Sequence, residues 1–334
     1  MRKWFLFFVM VSLLATGCSR NSNEVVVYTS VDQVFSEPVL KEFEKETGIK
    51  VNAVFDTEET KSTGVLNRLI AEKNHPQCDV FWSGDPVRTL VLKRKGITQP
   101  YRSPEAQDIP AVYKDPDGHW TGFSARARVL LYNKELLEDE AVPNSIFDLT
   151  KPQYRGKVAL ANPLFGTTTF HIAALFSVLG DERAKALLDS LKANGLVLAT
   201  SNGDVRKRVV QGEMACGITD TDDAFEAMKE APHVGIVFLD QQGIGTLIIP
   251  NTVNLIKECP HPDNGKKLID YLLRRKTEAA LAASCAQMPL HKGVKVPEGI
   301  PSLDHIVPMK INYDSTAAKL EEIQDYLKAW VRSF

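Results

Sequence analysis

Apolar strand-like segments alternate with helical ones along this chain, and the alternation runs twice. That order limits the fold to parallel or mixed sheets covered by helices. In the first block, residues 24–30 read as a strand on Val25, Val26, Val27 and Tyr28. Residues 36–47 read as a helix, because Phe35, Val39 and Phe43 recur every four positions. Ser36 serves as its N-cap, Pro38 sits in its first turn and Gly48 stops it. Ile49, Val51, Ala53 and Phe55 alternate with polar residues as a strand does. A helix on Val65, Leu66, Leu69 and Ile70, a strand over 78–82 and a helix over 87–95 complete the block. The second block predicts strands at 157–161, 196–199, 215–219 and 234–238. Its helices are predicted at 168–179, around Ala184–Leu191, at 205–211 and at 224–229. Two apolar segments, Val129-Leu130-Leu131-Tyr132 and residues 246–256, lie where the chain would pass between blocks. Two crossings make a hinged clamshell of two α/β lobes. Residues 316–330 predict one amphipathic helix, with Leu320, Ile323, Leu327 and Trp330 on one face.

The amino-terminal residues read as a targeting segment. Arg2 and Lys3 precede an uncharged run from Trp4 to Ala15, too short to cross a hydrocarbon core of ~30 Å. The sequence Leu13-Leu14-Ala15-Thr16-Gly17-Cys18 resembles a bacterial lipobox, which implies removal of 1–17 and lipidation of Cys18. An ordinary signal peptide with an incidental cysteine is the plainer alternative. Cleavage there removes 17 of 334 residues and two of 40 basic side chains, against 42 acidic ones, for a net charge of −4. That balance argues against a nucleic-acid partner. Cys78, Cys216, Cys259 and Cys285 show no C-x-x-C spacing; Cys259 and Cys285 flank one predicted helix and are either paired or buried thiols.

In open α/β sheets, ligands lie beyond the carboxyl ends of strands. The loops there carry Thr29, Ser30, Asp32 and Gln33; then Ser83, Gly84 and Asp85. In the second block they carry Asn162, Gly166, Thr167 and Thr168; then Ser201, Asn202 and Asp204; then Asp220, Thr221, Asp222 and Asp223. Each loop leads into a helix, so capping is the simple account of any one residue. Capping does not require three clustered aspartates, whose mutual repulsion calls for a cation, an amine or an arginine nearby. Gly166-Thr167-Thr168 at a helix start suits an anion. Arg126 and Arg128 alternate onto one strand face at the crossing and would fork an anion or form an inter-lobe salt bridge. Nucleophile-elbow, Walker and H-E-x-x-H patterns do not occur, so no catalysis and no cofactor are expected.

Several stretches together resemble one family. They are Val26-Tyr28-Thr29-Ser30 with residues 37–48, Asp79-Val80-Phe81-Trp82, Ala125-Arg126-Ala127-Arg128-Val129, Arg155-Gly156-Lys157-Val158-Ala159, Gln211-Gly212-Glu213, Gly217-Ile218-Thr219-Asp220 and Ile249-Pro250-Asn251-Thr252-Val253. In this order they resemble the ferric-iron-binding type of solute-binding protein from ABC importers. The resemblance implies a two-lobed type II periplasmic-binding-protein fold and delivery of a solute to a permease and an ATPase. It implies a ferric ligand held by adjacent tyrosines and completed by a carbonate- or citrate-like anion. Where the tyrosines are due after Gly217, this chain has Ile218-Thr219-Asp220-Thr221-Asp222-Asp223. Asp32 stands near a family histidine, Asp85 near a family glutamate, and Arg126 or Arg128 matches the anion arginine.

The expected site is therefore Ser30, Asp32, Ser83, Asp85, Arg126, Arg128, Gly166, Thr167, Thr168, Asn202, Asp220, Asp222 and Asp223, with Asp222 and Asp223 as metal ligands. The alternative cargo is a small phosphonate, phosphate or amino-phosphonate. A solute-sensing subunit of a signalling receptor is the rival of another class, and an exported enzyme on the same fold a weaker one. The expected division is 1–17 signal peptide, 18–23 tether, 24–123 plus 252–297 as lobe 1 and 124–251 plus 298–334 as lobe 2. The expected product is a monomer exported to the periplasm or cell surface and held at the membrane by its lipid alone.

Overall fold

The computed structural model describes residues 23–56, 64–138, 141–299 and 302–334. The proposed signal peptide and Cys18 lie outside these residues. The strands run β1 (Glu24–Thr29), β2 (Lys50–Phe55), β3 (Val80–Ser83), β4 (Thr98–Gln99), β5 (Thr121–Asn133), β6 (Val158–Ala161), β7 (Val197–Ala199), β8 (Cys216–Asp220), β9 (Val234–Val237) and β10 (Ile248–Ile256). They form one curled sheet in the order β2-β1-β3-β10-β5-β8-β6-β7, with β4 added on β10 and β9 on β5. Pairs β1–β2, β1–β3, β6–β7 and β6–β8 are parallel. The near-continuous apolar runs of β1 and β3 follow from helices covering both faces.

The fold is an α/β two-lobed architecture joined by β5 and β10. Residues 121–127 of β5 pair antiparallel with β10, and residues 128–133 pair with β8 and β9. One strand thus belongs to both lobes. The register slips between Pro250 and Asn251, where Ser124 is the extra residue of β5 with φ of +43°. A left-handed serine in a strand is a strained bulge.

The helices are α1 (Gln33–Thr47), α2 (Gly64–Ala71), α3 (Pro86–Arg94), α4 (Gly166–Leu179), α5 (Asp181–Ala193), α6 (Asn202–Val210), α7 (Thr221–Glu230), α8 (Pro262–Leu272), α9 (Arg275–Cys285), α10 (Tyr313–Glu322) and α11 (Gln324–Arg332). Three expectations are corrected. Helix α1 begins at Gln33, a turn before Ser36, whose buried hydroxyl donates to Val31 O and Asp32 O instead of capping. Between Cys259 and Cys285 lie two helices, and both cysteines, like Cys78 and Cys216, are free and buried. The carboxyl-terminal helix is broken at Ile323 into α10 and α11, so each segment turns its own apolar stripe inward. No helix among the described residues is long and apolar enough to cross a membrane.

Helix α10 closes the back of the crossing. Its Tyr313 is buried between Tyr113 and Trp120 on one side and Phe170, stacked at 6.0 Å, on the other. The Tyr313 hydroxyl donates to Ile248 O at 2.8 Å. Tyr313→Ala is expected to cost ~3–5 kcal/mol in urea unfolding. Tyr313→Phe is expected to cost only ~1 kcal/mol, the value of one hydrogen bond. Equal losses for the two variants would contradict this account of the packing.

Candidate functional site

The loops at the carboxyl ends of the strands meet in a cavity of about 650 Å³ between the lobes. Ser30, Asp32 and Asp85 line it from one lobe. Gly166, Thr167, Thr168, Asn202, Asp220, Asp222 and Asp223 line it from the other, and Arg126 reaches it from the crossing. Two expected site residues do not reach it. Ser83 is fully buried, and its hydroxyl accepts a bond from the Asp85 N–H. Arg128 is buried behind the wall. Asp85 lines the cavity but is occupied: one oxygen caps α3 through Val87 N–H at 2.9 Å, and the other pairs with Arg88.

Asp220, Asp222 and Asp223 end β8 and begin α7, and each offers an oxygen within 4.8 Å of the others'. Their environments differ. Asp220 Oδ1 accepts from Arg128 Nη1 at 2.7 Å. Its Oδ2 accepts from Thr167 Oγ1 at 2.7 Å and Asn202 Nδ2 at 3.1 Å. Burial opposes its charge, but Arg128, Arg126 and these donors outweigh burial and hold its carboxyl below the ordinary range. Asp222 and Asp223 have weaker support: Asp222 accepts from Arg126 Nη1 at 3.4 Å and the Asp223 N–H at 3.1 Å, and Asp223 from Thr219 Oγ1 at 3.4 Å. Burial, and then the repulsion of Asp220, raises Asp222 against the pull of Arg126. Burial, then Asp222 and Asp220, pushes Asp223 up to about 7. A cation beside this pair would relieve both burial and repulsion.

The two arginines divide their work. Arg126 Nη2 donates to Gly84 O at 2.5 Å in one lobe, while Nη1 lies 3.4 Å from Asp222 Oδ2 and 3.6 Å from Asp220 Oδ2 in the other. It is an inter-lobe tie that also borders the cavity. Burial disfavours its charge, yet Asp222, Asp220, Asp223 and Asp32 together hold that charge above arginine's ordinary range. Arg128 builds the wall: Nη1 also donates to Thr167 Oγ1 and Asn202 Oδ1, and Nη2 to Thr168 Oγ1 and Ile218 O. Nearby His171 is pushed down to about 3 by burial and then by Arg128, so it stays neutral.

Gly166, at φ of +61°, opens α4. Its N-cap is Phe165, which has no side-chain acceptor, so no capping side chain occupies the first N–H groups. Some cavity residues had no signal in the sequence. Phe35, Phe165 and Phe225 give it aromatic walls, and Ser284 to Gln287 with Asn251 make its floor. The floor segment straddles the end of α9, away from the strand-end loops, and only the tertiary fold brings it there.

Residues 78–311 match the family described as bacterial extracellular solute-binding protein. The iron uptake protein A1 of Synechocystis sp. is 27% identical over 291 residues, covering 84% of this chain and 79% of that protein. The putative 2-aminoethylphosphonate-binding periplasmic protein of Salmonella typhimurium is 25% identical over 334 residues, 97% of this chain and 92% of that one. The solved apo ferric ion-binding protein A of Pasteurella haemolytica superposes with a TM-score of 0.82 at 27% identity, over 92% of this chain and 98% of that one. A two-lobed sheet crossed twice by the chain, a polar cleft at its strand ends and a family match over most of the sequence agree: the chain belongs to the bacterial extracellular solute-binding proteins.

Proposed function

We propose that this protein is the capture subunit of an ABC-type importer and that its cleft holds a hard cation, ferric iron, with an accompanying anion. The observation that carries the reading is the charge of the cavity wall. Six carboxylates line it (Asp32, Asp85, Asp220, Asp222, Asp223 and Glu226) against two cationic side chains, Arg126 and Lys229. Asp85, Asp220 and Glu226 are already paired with Arg88, Arg128 and Arg206, so the excess centres on Asp222 and Asp223. Oxygen donors in excess suit a hard cation. Asp222 and Asp223 would bind it directly. Asp220, committed to Arg128, would act through the field, and Gly166-Thr167-Thr168 with Arg126 would hold the anion. The solute would bind the closed form better than the open one, with lobes 24–123 plus 252–297 and 124–251 plus 298–334 rotating about the crossing. We further propose export as a monomeric lipoprotein anchored through Cys18 and delivery to a permease and an ATPase.

A second reading, an amino-phosphonate held by the same groups, is favoured by one specific observation. No tyrosine lines the cavity among the described residues, whereas three phenylalanines do. The naming of the Salmonella relative points the same way. Thermal melting of the purified domain with ferric citrate, and separately with 2-aminoethylphosphonate, tests the two readings, because a ligand that binds only the folded state raises its melting temperature. A rise with the phosphonate and none with ferric citrate would overturn the iron reading.

The pH dependence tests the part given to Asp223. With Asp223 at about 7, the empty cluster carries a proton at pH 6 that it has lost at pH 8. A cation must displace that proton, so affinity is expected to fall up to ~10-fold per pH unit below 7. The slope is read against Asp223→Asn, which corrects for ferric speciation. A slope equal in both proteins would contradict the assignment of the cation to Asp223.

A further inference from the structure

The floor of the cavity is also the hinge. Asn251 lines the cavity and stands at the register slip between β5 and β10. It is 1% exposed. Its Nδ2 donates to Ser124 O at 2.5 Å and to Gln287 Oε1 at 2.7 Å. Its Oδ1 is buried and has no partner. A buried carbonyl oxygen without a donor is costly, and native interiors rarely leave one.

The backbone of the bulge beneath it is tied on both sides, while the buried Ser124 hydroxyl, which does not line the cavity, is also without a partner. The completely buried Glu278 accepts from Ser124 N–H at 2.7 Å, and also from Leu290 and His291 N–H. Ala125 and Met288 exchange two backbone bonds of 2.7 Å each. The crossing is therefore held at a strained serine, and one of the groups that hold it, Asn251, also lines the cavity and keeps one acceptor uncommitted.

We infer that Asn251 is a solute contact as well as a hinge residue. Its Oδ1 accepts a hydrogen bond from a donor of the captured solute (a metal-bound water, a hydroxyl or an ammonium), which ties occupancy of the cleft to the strand crossing. The inference rests on the cleft being the capture site and deepens that reading. It adds a third kind of contact, beside the carboxylate pair and the helix start, at the register slip of the strand crossing.

Asn254 supplies the control. It sits three residues along the same strand and is equally buried. Unlike Asn251, it bonds through both side-chain atoms, Nδ2 donating to His119 O and Oδ1 accepting from Thr89 Oγ1, and it does not line the cavity. Asn251→Ala, Asn254→Ala and wild type are titrated calorimetrically with ferric citrate and with 2-aminoethylphosphonate, and closure is followed by small-angle scattering. Asn251→Ala is expected to weaken the probe that wild type binds by ~10- to 100-fold and to blunt compaction. Asn254→Ala is expected to melt earlier yet bind like wild type. An effect seen with ferric citrate assigns the donor to a metal-bound water or the citrate hydroxyl, and one seen with the phosphonate assigns it to the ammonium. Wild-type affinity and compaction in Asn251→Ala overturn the inference, as does an equal affinity loss in Asn254→Ala. Wild type that binds neither probe overturns the ligand reading, and this inference with it.

Discussion

Asparagine at both Asp222 and Asp223 is expected to cut ferric capture at least ~100-fold while making the empty protein more stable at pH 8. The two effects share a cause. The folded state holds Asp222 above the ordinary carboxylate range and pushes Asp223 up to about 7, through burial and mutual repulsion. Asp223 therefore keeps its proton in the folded chain up to about pH 7 but loses it near pH 4 when unfolded. Its favourable contribution is full below the unfolded value and disappears as pH rises through the folded one. Above that point the charge opposes folding by an amount on the order of 2–4 kcal/mol. Asparagine carries no charge at any pH. The variant should melt several degrees higher than wild type at pH 8, and the difference should vanish near pH 4. Differential scanning calorimetry at both pH values, with ferric titration of the same samples, measures both parts. A folded double variant that captures iron as wild type does would remove the carboxylate pair from the site.

The exchange of stability for capture explains what was legible in the sequence. Three aspartates within four positions are visible without coordinates, and their repulsion is a matter of spacing alone. The strand-end loops were legible for the same local reason, since strand, polar loop and helix follow one another along the chain. Arg126 and Arg128 were rightly placed on one face of β5, but a face is not an environment. The strand passes from the crossing into the second lobe, so Arg126 meets the cavity while Arg128 lies under the Thr167 and Asn202 loops. Ser83 misled in a similar way: it ends a strand, but its side chain faces inward toward the Asp85 N–H. The floor was not legible, because Asn251 and Gln287 meet only when β10 and the segment after α9 fold together. Helix ends failed where a side chain had a second use, as at Ser36, whose hydroxyl serves the backbone behind it.

Arg128 carries the main electrostatic prediction about stability. Arg128→Met is expected to destabilise the protein by ~3–5 kcal/mol, because it strands the buried charge of Asp220. The two side chains are 1% and 2% exposed and meet at 2.7 Å. After the substitution, Arg126 at 3.6 Å is the cation left to Asp220 among the described residues. Thr167, Thr168 and Asn202 lose a shared donor at the same time. In wild type the depressed Asp220 contributes stability above about pH 4, and that stability is lost as pH falls through its folded value. The gap between variant and wild type should therefore be widest at neutral pH and narrow below pH 4. Adding Asp220→Leu to Arg128→Met removes the stranded charge and should recover part of the loss, since replacing both partners of a buried pair costs less than replacing one. Urea midpoints for the four proteins of that cycle at pH 7.5 decide it. A double variant no more stable than the single one would mean that Arg128 acts through packing of the wall and not through Asp220. The cluster would then have to be balanced from the cavity side by Arg126 and the solute alone.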